Sequence, residues 1–180
     1  IWRVAMSSNE NQRCFFTGHR IMSKYERGRA ALLTESLCEK LILTRGVTEF
    51  ISGGAIGYDH IAALAVLRLK KKYPVRLCLY LPCRDRAARW SGAQIREWKT
   101  VEEAADECRY ITDGPYITGC MHRRNRAMVD DAVYGIAFCR SGYGGTAATL
   151  RYAADKGRKT FVLTVPGTEL PFGTFYRRYI

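Results

Sequence analysis

Apolar runs of four to seven residues recur along the chain, and most are followed by a longer stretch whose apolar residues return at helical spacing. The runs are 13–17 (RCFFT), 47–51, 75–81, 109–112, 133–139 and 160–165. Between them, 24–44, 61–73, 94–108, 120–131 and 146–156 read as helices. Gly46 and Gly157 close the first and last of these, and the helix over 61–73 stops before Pro74. Strands separated by helices of this length make βαβ units, whose strands lie parallel. Right-handed crossovers then place helices on both faces of the sheet.

The expected fold is therefore α/β: one Rossmann-like, doubly wound, mainly parallel sheet over residues 13–165. A tail over 1–12 and an extension over 166–180 flank it. Ile1 is not a normal start, so Ile1 to Ala5 are expected to be vector-derived, with Met6 as the natural beginning. With 180 residues, 47% of them hydrophobic, the chain is long and apolar enough to build one core, which excludes a disordered basic tail. No apolar run reaches membrane-spanning length and no signal peptide is visible. Seven cysteines, an odd number with no C-x-x-C, argue against a disulfide framework and a zinc ribbon. A reducing, cytoplasmic setting, no metal and no cofactor are the expectations. The balance of 29 Lys and Arg against 17 Asp and Glu, net +12, favours an anionic partner but leaves open a solvated, arginine-rich surface.

In doubly wound sheets ligands bind outside the C-terminal strand ends, and four segments fall there. Thr17, Gly18, His19 and Arg20 follow the first strand, where arginine suits a phosphate or carboxylate. Ser52, Gly53, Gly54, Gly57 and Asp59 form a glycine-rich turn before a helix. It is either a plain tight turn or a phosphate cradle, with Asp59 a ribose acceptor or a helix cap. Its spacing is neither G-x-G-x-x-G nor that of a P-loop. Arg123, Arg124, Asn125 and Arg126 crowd a helix start, where cations repel each other and the helix dipole unless an anion joins them. At least one of Arg123 and Arg126 is expected to face solvent. Gly144, Gly145 and Thr146 open a further helix. Two glycine-rich helix starts with an arginine cluster between them point to a phosphate-bearing ligand.

The pieces CFFTGHR, SGGAIGYD, Pro82-Cys83 through Trp90, RRNRAMVDDA and YGGTAATLRYAADKGR together resemble the SLOG superfamily, which joins the DNA-processing protein A and LOG families. The similarity is greatest to its YpsA-like branch. The resemblance implies a Rossmann-like domain that binds nucleotides or nucleotide-derived ligands, and a homodimer. LOG proteins release cytokinin bases from nucleoside monophosphates, with signatures M-H-x-R-K-x-x-M and P-G-G-x-G-T-x-x-E. Residues 121–128 preserve the first, with Arg124 at the catalytic arginine and Asn125 in place of lysine. The second departs: Ser141 stands at the proline, Tyr143 at a glycine and Thr149 at the catalytic glutamate.

The leading expectation is binding of a nucleotide-derived small molecule, as sensor, sequestering protein or signalling component. The alternatives are a phosphoribohydrolase or related N-glycosidic or phosphate-bond hydrolase, with Asp59 or Asp130 as its carboxylate and Arg124 beside it, and single-stranded DNA binding driven by the positive charge. Tyr176 to Tyr179 read as a frayed basic tail, with stacking on bases as the other reading.

Overall fold

A computed structural model describes residues 12–164 and 176–179. Seven parallel strands form one sheet in the order β4-β3-β2-β1-β5-β6-β7: β1 Gln12–Gly18, β2 Val47–Ser52, β3 Arg76–Leu81, β4 Glu107–Tyr110, β5 Tyr134–Phe138, β6 Lys159–Leu163 and β7 Tyr176–Tyr179. The intervening helices are α1 Lys24–Arg45, α2 Tyr58–Leu69, α3 Gly92–Ala104, α4 Cys120–Asp130 and α5 Gly144–Asp155. The Rossmann-like α/β expectation holds.

Alternation within β1 shows how the two layers are built. Phe16 faces the core shared by α1, α2 and α3, with Phe50, Leu37, Tyr58 and Trp98. Its neighbour Phe15 faces the opposite layer, with Ile51, Met128, Val129 and Ala153. Strand side chains alternate by face, so a strand covered by helices on both sides is apolar throughout. That is why residues 14–17 are all buried.

α1 is started by a capping box: the Ser23 hydroxyl accepts from the Glu26 N–H at 3.2 Å, and the Ser23 N–H donates to the Glu26 carboxylate at 2.7 Å. It buries Ala30, Thr34, Leu37, Cys38 and Leu41, one stripe at helical spacing. α2 is buried on nearly every side and so positions the residues at its start rigidly.

Several boundaries differ from expectation, α2 among them, which runs Tyr58–Leu69 rather than 61–73. α3 ends at Ala104 rather than 108, because Asp106 leaves the helix to accept from the Leu77 N–H at 2.8 Å and from Lys70 at 2.5 Å, drawing Cys108 into β4. Tyr176 to Tyr179 are not a tail but β7, paired in parallel with β6 from Thr160↔Tyr176 to Leu163↔Tyr179. Tyrosine suits an extended backbone, and the β6 edge offers unpaired backbone groups. Most of the 1–12 tail lies outside the described residues, as does Val165; Gln12 already belongs to β1. All seven cysteines are free, and six of them are buried. Among the described residues no helix is long and apolar enough to cross a membrane, and no three His, Cys, Asp or Glu side chains come together as metal ligands would.

Candidate functional site

The strand order reverses at β1, with β2 on one side and β5 on the other. A crevice outside the carboxyl ends of these strands follows from that reversal. A cavity of about 320 Å³ lies there, walled by Thr17 to Arg20 at the end of β1, Ala55 and Asp59 at the start of α2, Met121, His122, Arg124 and Asn125 on α4, and Gly145 and Thr146 on α5.

The centre of its wall is charged. Arg124 Nη1 lies 3.7 Å from Asp59 Oδ2, and both side chains are 6% exposed. Asp59 Oδ2 also accepts from the Ala55 N–H at 3.2 Å. Burial pushes the Asp59 carboxyl above the usual carboxylate range against the opposing pull of Arg124. Burial likewise lowers Arg124, although Asp59 works the other way. Arg124 Nη1 is buried without a hydrogen-bond acceptor. A buried guanidinium N–H without an acceptor is costly, and the Asp59 carboxylate at 3.7 Å meets its charge but not its hydrogen-bonding need.

Gly53 makes this pair possible. A Cβ there would collide with the Arg124 guanidinium and the Asp59 carboxylate. Gly57 has a second task. At φ +82 it brings the chain against the His19 and Arg20 backbone, where a Cβ would clash, and the Tyr58 N–H donates to His19 O at 3.0 Å.

A short relay fixes the Arg124 side chain from behind. Its Nε donates to Asn125 Oδ1 at 2.8 Å, Asn125 Nδ2 donates to the Thr149 hydroxyl at 2.9 Å, and that hydroxyl donates to Gly145 O at 2.8 Å. On the opposite wall, His19 Nε2 accepts from the Arg140 N–H at 2.9 Å. The Arg140 guanidinium pairs with Glu26 at 3.0 Å and donates to Ile21 O at 2.9 Å. Burial and Arg140 hold His19 below its usual range. α1 and α3 carry serine capping boxes, whereas α2, α4 and α5 start without a side-chain cap. The first turns of α4 and α5, which line the cavity through Met121, His122, Gly145 and Thr146, thus carry no side-chain cap.

A model of the YspA SLOG family matches residues 15–159. The chain belongs to the YspA SLOG family. It is 28% identical over 139 residues to the uncharacterized SPbeta prophage-derived protein YoqJ of Bacillus subtilis, covering 71% of this chain and 79% of that protein. DNA processing protein A from Helicobacter pylori, solved for its single-stranded DNA binding mode, superposes with a TM-score of 0.63 at 21% identity, covering 88% of this chain and 68% of that one. The Moco carrier protein of Chlamydomonas rheinhardtii gives 0.57 at 17% identity, covering 94% and 90%. Both structural likenesses concern the fold.

Within this SLOG domain, the sequence-derived site residues divide cleanly. Thr17, Gly18, His19, Arg20, Asp59, Arg124, Asn125, Gly145 and Thr146 share the cavity wall. Gly53 and Gly54 line a small recess beside it. Gly57 holds the loop behind it. Ser52 is spent internally, its hydroxyl donating to Asp59 O at 3.0 Å. Gly144 starts α5 outside the wall. Asp130 is not brought to the cavity: it sits at the far end of α4, accepting from the Tyr152 hydroxyl at 2.9 Å. Arg123 is exposed, and Arg126 lies 5.1 Å over the Tyr152 ring. Cys83 and Cys120 are both buried. Arg140, Glu26 and Arg86 escaped sequence reasoning; each reaches the site region by a long-range contact that no local pattern announces. Arg86 donates to Gly54 O and pairs with Glu102.

Proposed function

We propose that the cavity at the β1–β5 reversal binds a phosphate-bearing, nucleotide-derived small molecule, and that the protein acts by binding it, as sensor or sequestering protein. The observation that carries this reading is the buried Arg124 Nη1, without an acceptor, in the wall of a cavity lined by two helix starts that carry no side-chain cap. Arg20, exposed at the rim, adds a second guanidinium. Asp59 and Asn125 supply acceptors and donors for sugar hydroxyls. Thr149, aligned with the LOG glutamate, spends its hydroxyl on Asn125 and Gly145 and offers no carboxylate. A cytoplasmic homodimer completes the proposal, supported by the family resemblance and the buried, unpaired thiols.

A hydrolase reading is favoured by one specific feature. Asp59 is the carboxylate on the cavity wall, and its raised pKa is what a general acid needs. Mass spectrometry of freshly purified, denatured protein and calorimetry against nucleoside phosphates test the binding reading. A well-folded protein that takes up none of them overturns it. Product release from nucleoside monophosphates, abolished in Asp59→Asn, would replace binding with hydrolysis. Tight, steeply salt-dependent binding of oligonucleotides alone would replace it with the strand-binding mode described for the H. pylori protein.

A further inference from the structure

A second cavity, of about 700 Å³, adjoins the first, and Arg20 and Met121 line both. Its lining differs in chemistry: Trp90 and Tyr116 supply aromatic surface, and Arg89 stands exposed at its edge. Trp90 is held in place by a built support. The Arg86 guanidinium, its side chain 6% exposed, lies 4.7 Å over the Trp90 ring and 5.2 Å over that of Trp98. The same guanidinium is anchored on Gly54 O and the Glu102 carboxylate. An indole braced in this way is a preorganised stacking face, since its rotamer need not be fixed when a ring arrives.

Arg20 stands at the junction. Among the described residues its guanidinium has only the Met121 sulfur, 3.7 Å away, within hydrogen-bond reach. The polar cavity holds Arg124, Asp59 and Asn125 and is at the small end of ligand sites, with room for a sugar phosphate. The second cavity accepts a larger, flatter group. Several other cations are spent elsewhere: Arg13, Arg68, Lys70, Arg76, Arg109 and Lys156 are already paired with carboxylates.

Building on the phosphate-ligand reading, we propose that the second cavity is a stacking subsite for a planar ring, with Trp90 as its face, and that the ligand has two ends. A sugar phosphate occupies the polar cavity, a ring-bearing nucleoside lies on Trp90, and the phosphate link between them passes Arg20. The ligand class is a nucleoside pyrophosphate carrying a second sugar, and a mononucleotide fills only part of the site.

The test is titration of the full chain by calorimetry and tryptophan fluorescence with ribose 5-phosphate, adenosine monophosphate, ADP-ribose and a short oligodeoxythymidine. ADP-ribose is expected to bind at least tenfold more tightly than either smaller probe. Trp90→Ala should cost about tenfold for ADP-ribose, the scale of one stacked base, and leave ribose 5-phosphate unchanged. Trp90→Phe should restore most of the loss. If Trp90→Ala disturbs the Arg86 stack and the fold, as circular dichroism would reveal, Tyr116→Ala at the exposed side of the cavity makes the same test. Equal affinity for ADP-ribose and ribose 5-phosphate, unaffected by either variant, overturns the subsite while the phosphate reading stands. If no small probe binds, the phosphate reading itself falls. A Trp90-dependent preference for the oligonucleotide overturns the two-ended ligand.

Discussion

Asp59 Oδ2 and Arg124 Nη1 lie 3.7 Å apart with Gly53 packed against both, so the charged centre of the cavity is a buried ion pair fitted around a missing side chain. Removing one partner of such a pair leaves the other charge buried and alone, which costs about 3–5 kcal/mol. Arg124→Ala is therefore expected to lower unfolding stability by that amount at neutral pH, as measured by urea denaturation. The sign of the pH dependence follows from burial. Asp59 titrates above its usual 3.8 in the folded protein, so its contribution is present in full below 3.8 and is lost as pH rises through the folded value. Without Arg124 the carboxyl rises further, and the deficit of the variant should shrink on acidification.

Gly53→Ala should cost about 1–3 kcal/mol, because its Cβ overlaps two side chains that burial prevents from moving aside. The loss should be smaller when the substitution is made on an Arg124→Ala background, which vacates the space. Double-mutant denaturation measures the coupling; strict additivity would mean that the overlap is relieved in some other way.

His19 should titrate below 6.5 by NMR, since burial and the neighbouring Arg140 both disfavour its cation and its Nε2 already accepts a backbone N–H. A depressed folded pKa stabilises above 6.5, and that stability is lost as pH falls toward the folded value. His19→Gln should therefore flatten part of the decline in stability below 6.5. His60, also depressed by burial, should sustain the remainder.

Thr149→Val keeps the shape and removes the hydroxyl on which Asn125 depends. The expected cost is about 1–2 kcal/mol in denaturation, accompanied by weaker ligand binding as Asn125 and Arg124 lose their bracing. Thr149→Ser should retain both properties. A Thr149→Val protein that binds as the parent does would separate the relay from the site.

Arg20→Ala should leave the melting temperature within a degree or two, because the residue is exposed and forms no ion pair among the described residues. Calorimetry should show weaker binding of phosphate-bearing probes and a shallower dependence on salt.

Much of this architecture was legible in the chain because burial leaves a direct mark on composition. β3 and β5 read as nearly continuous apolar runs and β1 and β2 carry shorter ones, Cys14 to Phe16 and Phe50 to Ile51, since both faces of the sheet are covered, and Ser23 and Glu26 sit at a capping spacing that needs no tertiary information. The strand ends were equally visible, and with them Thr17 to Arg20, Arg124 and Asn125. Other features stayed hidden for physical reasons. α3 and β4 were misplaced because the decision lies with Asp106, which prefers an amide on β3, 29 residues away in sequence, to its own helix. β7 was missed because a lone edge strand owes its shape to its neighbour. Asp130 is a candidate because it lies in the matched RRNRAMVDDA stretch, yet a helix of 11 residues carries its last residue about 15 Å from its first. For the glycines of 52–59 the sequence leaves a plain tight turn and a phosphate cradle both open, and neither reading contains the role of Gly53, which makes room for an arginine that arrives from α4.

The order reversal at β1 gives the cavity two authors. Residues 12–110 contribute the His19–Arg20 rim and Asp59, and residues 120–164 contribute Arg124, Asn125 and the α5 start, with the loop carrying Gly114 and Pro115 between them. Neither stretch encloses the cavity by itself. A molecule held there is a fastener across a seam, and its affinity adds to the cohesion of the two halves, by about 2.7 kcal/mol at a hundredfold excess over its dissociation constant. A chain nicked in the 113–117 loop should accordingly come apart less readily once the cavity is filled, which turns ligand occupancy into a mechanical property of the domain.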